Sequence, residues 1–92
     1  MPTPSDWNAL SQLLASGQRR RVLLALTKPR SPSRLAAKLR LPVPNVSRAL
    51  GDLRRMRAVV CLNPRRRKGR LYSLTAKGRG LAKALHRLGA PP

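Results

Sequence analysis

Acidic side chains are almost missing from this chain. Two of them, Asp6 and Asp52, stand against 21 lysines and arginines in 92 residues, giving a net charge of +19 at pH 7. Salt bridges can neutralise only a small part of that charge. The free protein repels itself, and a polyanion relieves the repulsion. Nucleic acid is therefore the expected partner, because phosphate neutralisation with release of counterions dominates such binding. An anionic membrane surface fits less well, since the cations are spread over several segments and not gathered on one amphipathic helix. The shortage of acids also leaves no carboxylate pair for acid–base catalysis. The one histidine, His86, gives no reason to propose a Ser/His arrangement. The expectation is a protein that is not an enzyme.

Cysteine is scarce too. Cys61 is the only one, so an intrachain disulfide is impossible, and no Cys/His cluster has zinc-ligand spacing. Within AVVCL, Cys61 reads as a small buried hydrophobe. No metal, cofactor or small-molecule ligand is expected. No apolar run is long enough to span a bilayer. The opening MPTPSDW lacks the basic region and apolar core of a signal peptide, so the expected location is cytoplasmic and nucleoid-associated. Internal repeats are absent. GRGLAK at 78–83 has too few glycines, and no strand-to-helix turn, for a phosphate-binding loop.

What the chain does have is 41% hydrophobic residues, enough to exclude wholesale disorder. Its length points to a single domain over 1–92. The segment 44–56, PNVSRALGDLRRM, organises the rest. Read at ~100° per residue as a helix, it puts Val46, Leu50 and Leu53 in a narrow wedge, with Val43 and Met56 on the edges. Pro44, Arg48, Gly51 and Arg55 fall on the opposite side. One face wants a core, and the other is cationic with a small residue in its middle. A DNA major groove accepts such a helix, because it is wide enough and offers acceptors onto which arginine can fork.

In chain order, Thr3-Pro4-Ser5-Asp6 reads as a helix start: Thr3 or Ser5 caps, Pro4 suits the first turn, and Asp6 complements the dipole. Trp7, Leu10, Leu13 and Leu14 supply an apolar stripe, and Gly17 is the expected terminator. Trp7, one of only two aromatics with Tyr72, either covers the core or contacts a second chain. A second helix over 18–27 carries Val22, Leu23, Ala25 and Leu26. Its first turn holds Arg19, Arg20 and Arg21 at the end where cations are unfavourable, so they reach phosphate or solvent. Ser31 and Pro32 open a third helix running to about residue 40, with Leu35, Ala36 and Leu39 buried. Leu41 sits in the turn that follows. A short helix, a brief turn with a buried leucine and a second helix with exposed arginines make a helix-turn-helix over 31–56.

Residues 58–62 and 71–75 read as strands, the second with Tyr72 and Leu74 on one face. Between them Asn63-Pro64 breaks the first strand and Gly69 permits the return. The hairpin over 58–75 carries five cations on its loop: Arg65, Arg66, Arg67, Lys68 and Arg70. Their reach and charge suit phosphates or a minor groove. Thr75 caps a last helix over 76–88, stopped by Gly89-Ala90-Pro91-Pro92. Its line of Leu81, Leu85 and Leu88 either covers the first helix or meets a second chain. The second reading is favoured here, with Trp7, Leu10 and Leu14 completing a dimer interface, because small groove-reading domains gain affinity and spacing selectivity by pairing.

SPSRLAAKL followed by PNVSRALGDLRRM resembles the paired helices of the ArsR- and MarR-like winged-helix regulators, especially the compact archaeal ones. In those proteins a V-S-R-x-L core anchors the recognition helix, matched here by Val46-Ser47-Arg48-Ala49-Leu50. YSLTAKG at 72–78 resembles their Y-x-L-T-x-x-G signature. The likeness covers about residues 18–88. It implies a mainly α fold with a small β-hairpin, a winged helix-turn-helix in the order α-α-α-α-β-wing-β-α. It also implies DNA contacts from Asn45, Ser47 and Arg48, from Ser33 and Arg34, and from the hairpin loop. Arg40 and Arg57 stand where the family often has glycine, so an unusual backbone is expected there. Pro42 replaces the usual capping Ser or Thr. The paired thiolates and carboxylates of the metal-sensing members are missing, so no metal response is expected.

The expected function is a double-stranded-DNA-binding transcriptional regulator that pairs as a homodimer. In it Arg48 reads a base edge while Arg54, Arg55 and the loop cations hold phosphate. Two alternatives share the same electrostatics: a ribosomal or other RNA-binding structural protein, and an architectural chromatin protein with little sequence choice.

Overall fold

The computed structural model describes the backbone of residues 4–89 and the side chains from residue 7 onward. The capping roles expected of Thr3, Ser5 and Asp6, and the stop at residues 90–92, lie outside the described side chains. The elements run α1 (Pro4–Ala15), α2 (Gly17–Ala25), α3 (Pro32–Leu39), α4 (Val43–Arg55), β1 (Val59–Cys61), β2 (Tyr72–Leu74) and α5 (Ala76–Arg87). None of these helices is long and apolar enough to cross a membrane.

Helix α2 is the hub. It is short, yet it packs against each of the other four helices. Val22 and Leu23 on it are fully buried, together with Leu13 from α1, Leu35 from α3, Val46, Leu50 and Leu53 from α4, and Leu85 from α5. Gly17 does not terminate α1. It is the first residue of α2, because the Ser16 side chain accepts the Arg19 amide at 3.3 Å and caps that helix instead.

The arginines in the first turn of α2 hold neighbouring helices. Arg19 donates to the Gln12 carbonyl at 3.0 Å, and Arg20 to those of Leu13 and Leu14 at 3.3 Å. These carbonyls belong to the last turn of α1, where intrahelical donors run out. Arg21 donates at 2.7 Å to the carbonyl of Leu39, the last residue of α3. Cations badly placed for their own helix dipole are thus well placed for the C-termini of two others.

The helix-turn-helix forms as its caps dictate. Ser31 accepts the Arg34 amide at 3.2 Å and Pro32 occupies the first turn of α3. Pro42 precedes α4 with no side-chain capping bond. Between the two helices, Arg40 turns left-handed at φ 56°, and the Leu41 amide bonds the Ala36 carbonyl at 3.0 Å while its side chain packs on the core. Arg57, after α4, is also left-handed at φ 61°. Side chains with a Cβ are disfavoured in this region. Arg40→Gly is therefore expected to stabilise the protein by about 0.5–1 kcal/mol, the relief of the steric cost less the extra freedom of the unfolded chain. A urea melt checks this, and a fall in midpoint would contradict it.

β1 and β2 are antiparallel, with Val59 opposite Leu74, Val60 opposite Ser73 and Cys61 opposite Tyr72. Cys61 is buried, as its apolar run suggests. A third backbone segment joins the sheet at one residue. Arg30 exchanges both amide–carbonyl bonds with Tyr72, at 3.0 and 2.9 Å, while its side chain donates to the Ala25 carbonyl. This ties the start of the helix-turn-helix to the hairpin.

Helix α5 begins with Thr75, whose hydroxyl accepts the Gly78 amide at 3.0 Å. Its leucines turn inward. Leu81 and Leu85, and Leu10 on α1, are buried in the single chain's own core. They are therefore withdrawn from the expected dimer interface: α5 covers α1 and α2, and that burial uses the stripe. Trp7, Leu14 and Leu88 remain exposed, at 56%, 48% and 55%.

Candidate nucleic-acid interface

Helix α4 buries Val46, Ala49, Leu50 and Leu53 and shows its other side to solvent. Pro44, Ser47, Arg48, Arg54 and Arg55 are exposed, while Asn45 and Gly51 are half-buried. The face is therefore open and cationic. Gly51 has no packing reason to be glycine. A Cβ there would meet only the tip of the Arg55 guanidinium, at 4.0 Å. A mid-helix glycine costs about 1 kcal/mol relative to alanine. The bare position in the middle of the exposed face lets a partner approach the helix backbone closely.

The hairpin loop folds beside this face. A cleft of about 580 Å³ is lined by Ser31 and Ser33 at the start of α3, Val43 and Ser47 on α4, and Arg67, Lys68 and Arg70 from the loop. Three cations and, among the described residues, no acid line it, and two helices open into it at their N-terminal turns. Polyanions are attracted to such a concavity.

Asn63 organises the loop. Its Oδ1 accepts the Leu71 amide at 2.7 Å, and its Nδ2 donates to the Gly69 carbonyl at 3.1 Å. The Asn63 carbonyl accepts the Arg66 amide at 3.1 Å, closing a turn with Pro64 in its second position. Gly69 takes the left-handed backbone, φ 70°, that lets the strand return. Arg70 Nε donates to the Arg66 carbonyl at 2.6 Å. These bonds hold Arg65, Arg66, Arg67 and Lys68 outward on a closed turn, all four exposed. From the sequence, Asn63 has only the role of breaking a strand. An asparagine just before proline at a hairpin base is the available signal for more, since its side chain mimics a turn.

The remaining expected DNA-binding residues separate into groups. Ser33, Ser47, Arg67, Lys68 and Arg70 share the cleft, Arg65 and Arg66 are exposed on the loop outside its lining, and Arg48 and Arg54 are exposed on α4. Arg34 lines a smaller depression with Arg30 and Leu71, which meets the cleft at Ser31. Arg55 is tethered. Asp52 accepts a hydrogen bond from Arg55 and forms an ion pair with Arg19 Nε at 3.3 Å, so this one carboxylate joins α4 to α2. Arg55 faces a second cleft with Gln12, Arg19, Arg57 and Lys77, on the flank away from the hairpin loop. Among the described residues no His, Cys, Asp or Glu cluster could hold a metal ion.

No family model matches the sequence, and no curated protein matches it. Solved structures do match. The fold is similar to that of a MarR family transcription regulator, with a TM-score of 0.73 and 22% identity over 89% of this chain and 59% of that one. It is also similar to reduced HlyU from Vibrio cholerae, with a TM-score of 0.70 and 26% identity over 90% of this chain and 87% of that one. The chain spans about three fifths of the length of the first of these. Five helices and a two-stranded antiparallel hairpin in this order form a winged helix, and the hairpin loop is its wing.

Proposed function

We propose that the protein binds double-stranded DNA as a transcriptional regulator, with α4 in the major groove and the wing on phosphate or in the adjoining minor groove. The observation that carries this reading is the shared surface. The open, arginine-bearing face of α4 and the closed, four-cation turn of the wing flank one acid-free cleft. A helix fits the major groove, and a cationic loop beside it reaches the sugar–phosphate backbone. The likeness in fold to a MarR family transcription regulator supports the same reading.

The roles divide by chemistry. Arg48, exposed and without a protein partner, is the base-reading side chain. Ser47, Ser33 and Asn45 set the register of the helix on the duplex. Arg54 and the wing cations hold phosphate. Arg55 pairs with Asp52 on its own helix and keeps its exposed guanidinium within reach of phosphate. The protein acts as a homodimer on two half-sites, using the exposed Trp7, Leu14 and Leu88. No catalysis, metal or small-molecule effector enters this account.

The test begins with selection of a binding site from random duplexes. Arg48→Ala should cost about 1–3 kcal/mol on the selected duplex and much less on a scrambled one. Equal losses on both would remove Arg48 from base recognition.

A further inference from the structure

A further concave surface shares no lining residue with the recognition cleft, though it shares Lys28 and Pro29 with the depression that holds Arg34. It is a groove of about 360 Å³ between the end of α2, β2 and α5. Its floor is apolar, made by Leu26, Pro29, Leu74 and Ala82. Its rails are cationic, with Lys28 on one side and Arg79 and Lys83 on the other. Arg79, Lys83 and Arg87 are exposed and recur every fourth residue, so they form one ridge along α5. Ser73 also lines the groove, and its partner across the sheet is Val60, 44% exposed. The apolar strip thus continues onto the outer face of the hairpin.

We propose that this groove docks an acidic amphipathic helix from another protein. The aliphatic side chains of that helix would fill the floor, and its carboxylates would meet the Lys28 and Arg79–Lys83 rails. Helix-in-groove recognition needs this combination of apolar floor and complementary rim. A second copy offers the rails of this groove almost no complementary charge. Any copy carries +19, and its only acids are Asp6 and Asp52, the latter already held by Arg19 and Arg55. Nucleic acid fits poorly as well. The apolar floor gives bases no aromatic face to stack on, whereas leucines and carboxylates on one helix would use the floor and the rails together. Because the groove shares no lining residue with the recognition cleft, a partner seated in it leaves that cleft uncovered. That is the arrangement needed to bring a second protein to a bound site.

The probe is a fluorescent synthetic helix of about 14 residues, with glutamates on one side and leucines spaced four apart on the other. A companion peptide carries serine at the leucine positions. Anisotropy is measured at about 0.15 M salt, where exposed charges are well screened. The leucine peptide is expected to bind at least about tenfold more tightly than the serine peptide, and the Lys28→Glu/Lys83→Glu pair to lose about tenfold in affinity for it. Arg65→Glu/Arg67→Glu, which reverses the same charge on the wing, is expected to change peptide affinity less than about threefold. Equal binding of the two peptides, or equal losses from the two double variants, would reduce the effect to bulk charge and overturn the proposal. Self-association of the wild type that Lys28→Glu/Lys83→Glu abolishes would assign the groove to a second copy and overturn it too.

Discussion

Gly78→Ala is expected to destabilise the protein by about 3 kcal/mol or more, at the upper end for overpacking. An alanine Cβ at this position would sit 2.0 Å from the carbonyl oxygen of Ala58 and 3.0 Å from its carbon. Both are backbone atoms, so no flexible side chain can swing aside. The Ala58 carbonyl is also fixed from elsewhere, because it accepts the Thr75 amide at 3.0 Å. One residue earlier, the Thr75 hydroxyl donates to the Arg57 carbonyl at 2.6 Å. Pushing α5 away therefore separates its first turn from the left-handed turn after α4. For a domain of this size the loss should lower the melting temperature by roughly 15 °C. Gly80, two residues on, supplies the contrast. It is exposed, a Cβ there meets nothing within 4 Å, and it lies inside the same helix. Gly80→Ala is expected to stabilise by about 0.5–1 kcal/mol. Parallel thermal melts check both signs. Similar small effects from the two variants would mean that α5 does not approach residue 58 as described.

The second large effect concerns binding. Replacing Arg65, Arg66, Arg67 and Lys68 together by alanine should leave the fold intact, because the wing is held by Asn63, Gly69 and Arg70 and not by these four side chains. Every phosphate that is no longer neutralised lowers the slope of log affinity against log salt by about 0.9. With three of the four side chains on phosphate, the slope falls by about 3, and affinity at 0.1 M salt drops by roughly two orders of magnitude. The loss should be the same for selected and scrambled duplexes, since phosphate carries no sequence information. Titrations at several salt concentrations measure both quantities. An unchanged slope would remove the wing from the interface.

The features readable in the sequence were those decided by local chemistry. Ser31-Pro32 marks the start of α3 wherever it occurs in a chain, since cap and fixed φ act within one turn. The period of Val46, Leu50 and Leu53 names the buried face of α4 without knowledge of what it meets. Arg40 and Arg57, standing in glycine positions of the resembled pattern, do adopt positive φ. In each case the next amide turns back onto the helix just ended, Leu41 to the Ala36 carbonyl and Ala58 to the Leu53 carbonyl.

What stayed hidden depended on long-range assembly. Three consecutive arginines look the same whether they reach solvent, phosphate or the carbonyl end of another helix. Only the packing of α2 against α1 and α3 decides among these. Leu81 and Leu85 show a helical stripe whatever covers it, and periodicity does not say whether the cover is the same chain or another. The bridge from Arg30 to Tyr72 is a single residue long, too short to leave a strand pattern. Arg55 and Asp52 are three apart on one helix, so their pairing was accessible. The further bond from Asp52 to Arg19, on a different helix, was not.

Amide chemical shifts of the isotope-labelled protein, followed while a palindromic duplex of about 20 base pairs is added, test the central claim most directly. The exposed positions of α4 from residue 44 to 54, Ser33 and Arg34 at the start of α3, and the wing from residue 63 to 70 should move together. The Leu26–Leu74–Ala82 groove should stay still. Shifts concentrated on α1 and α5, with α4 and the wing unmoved, would contradict the account.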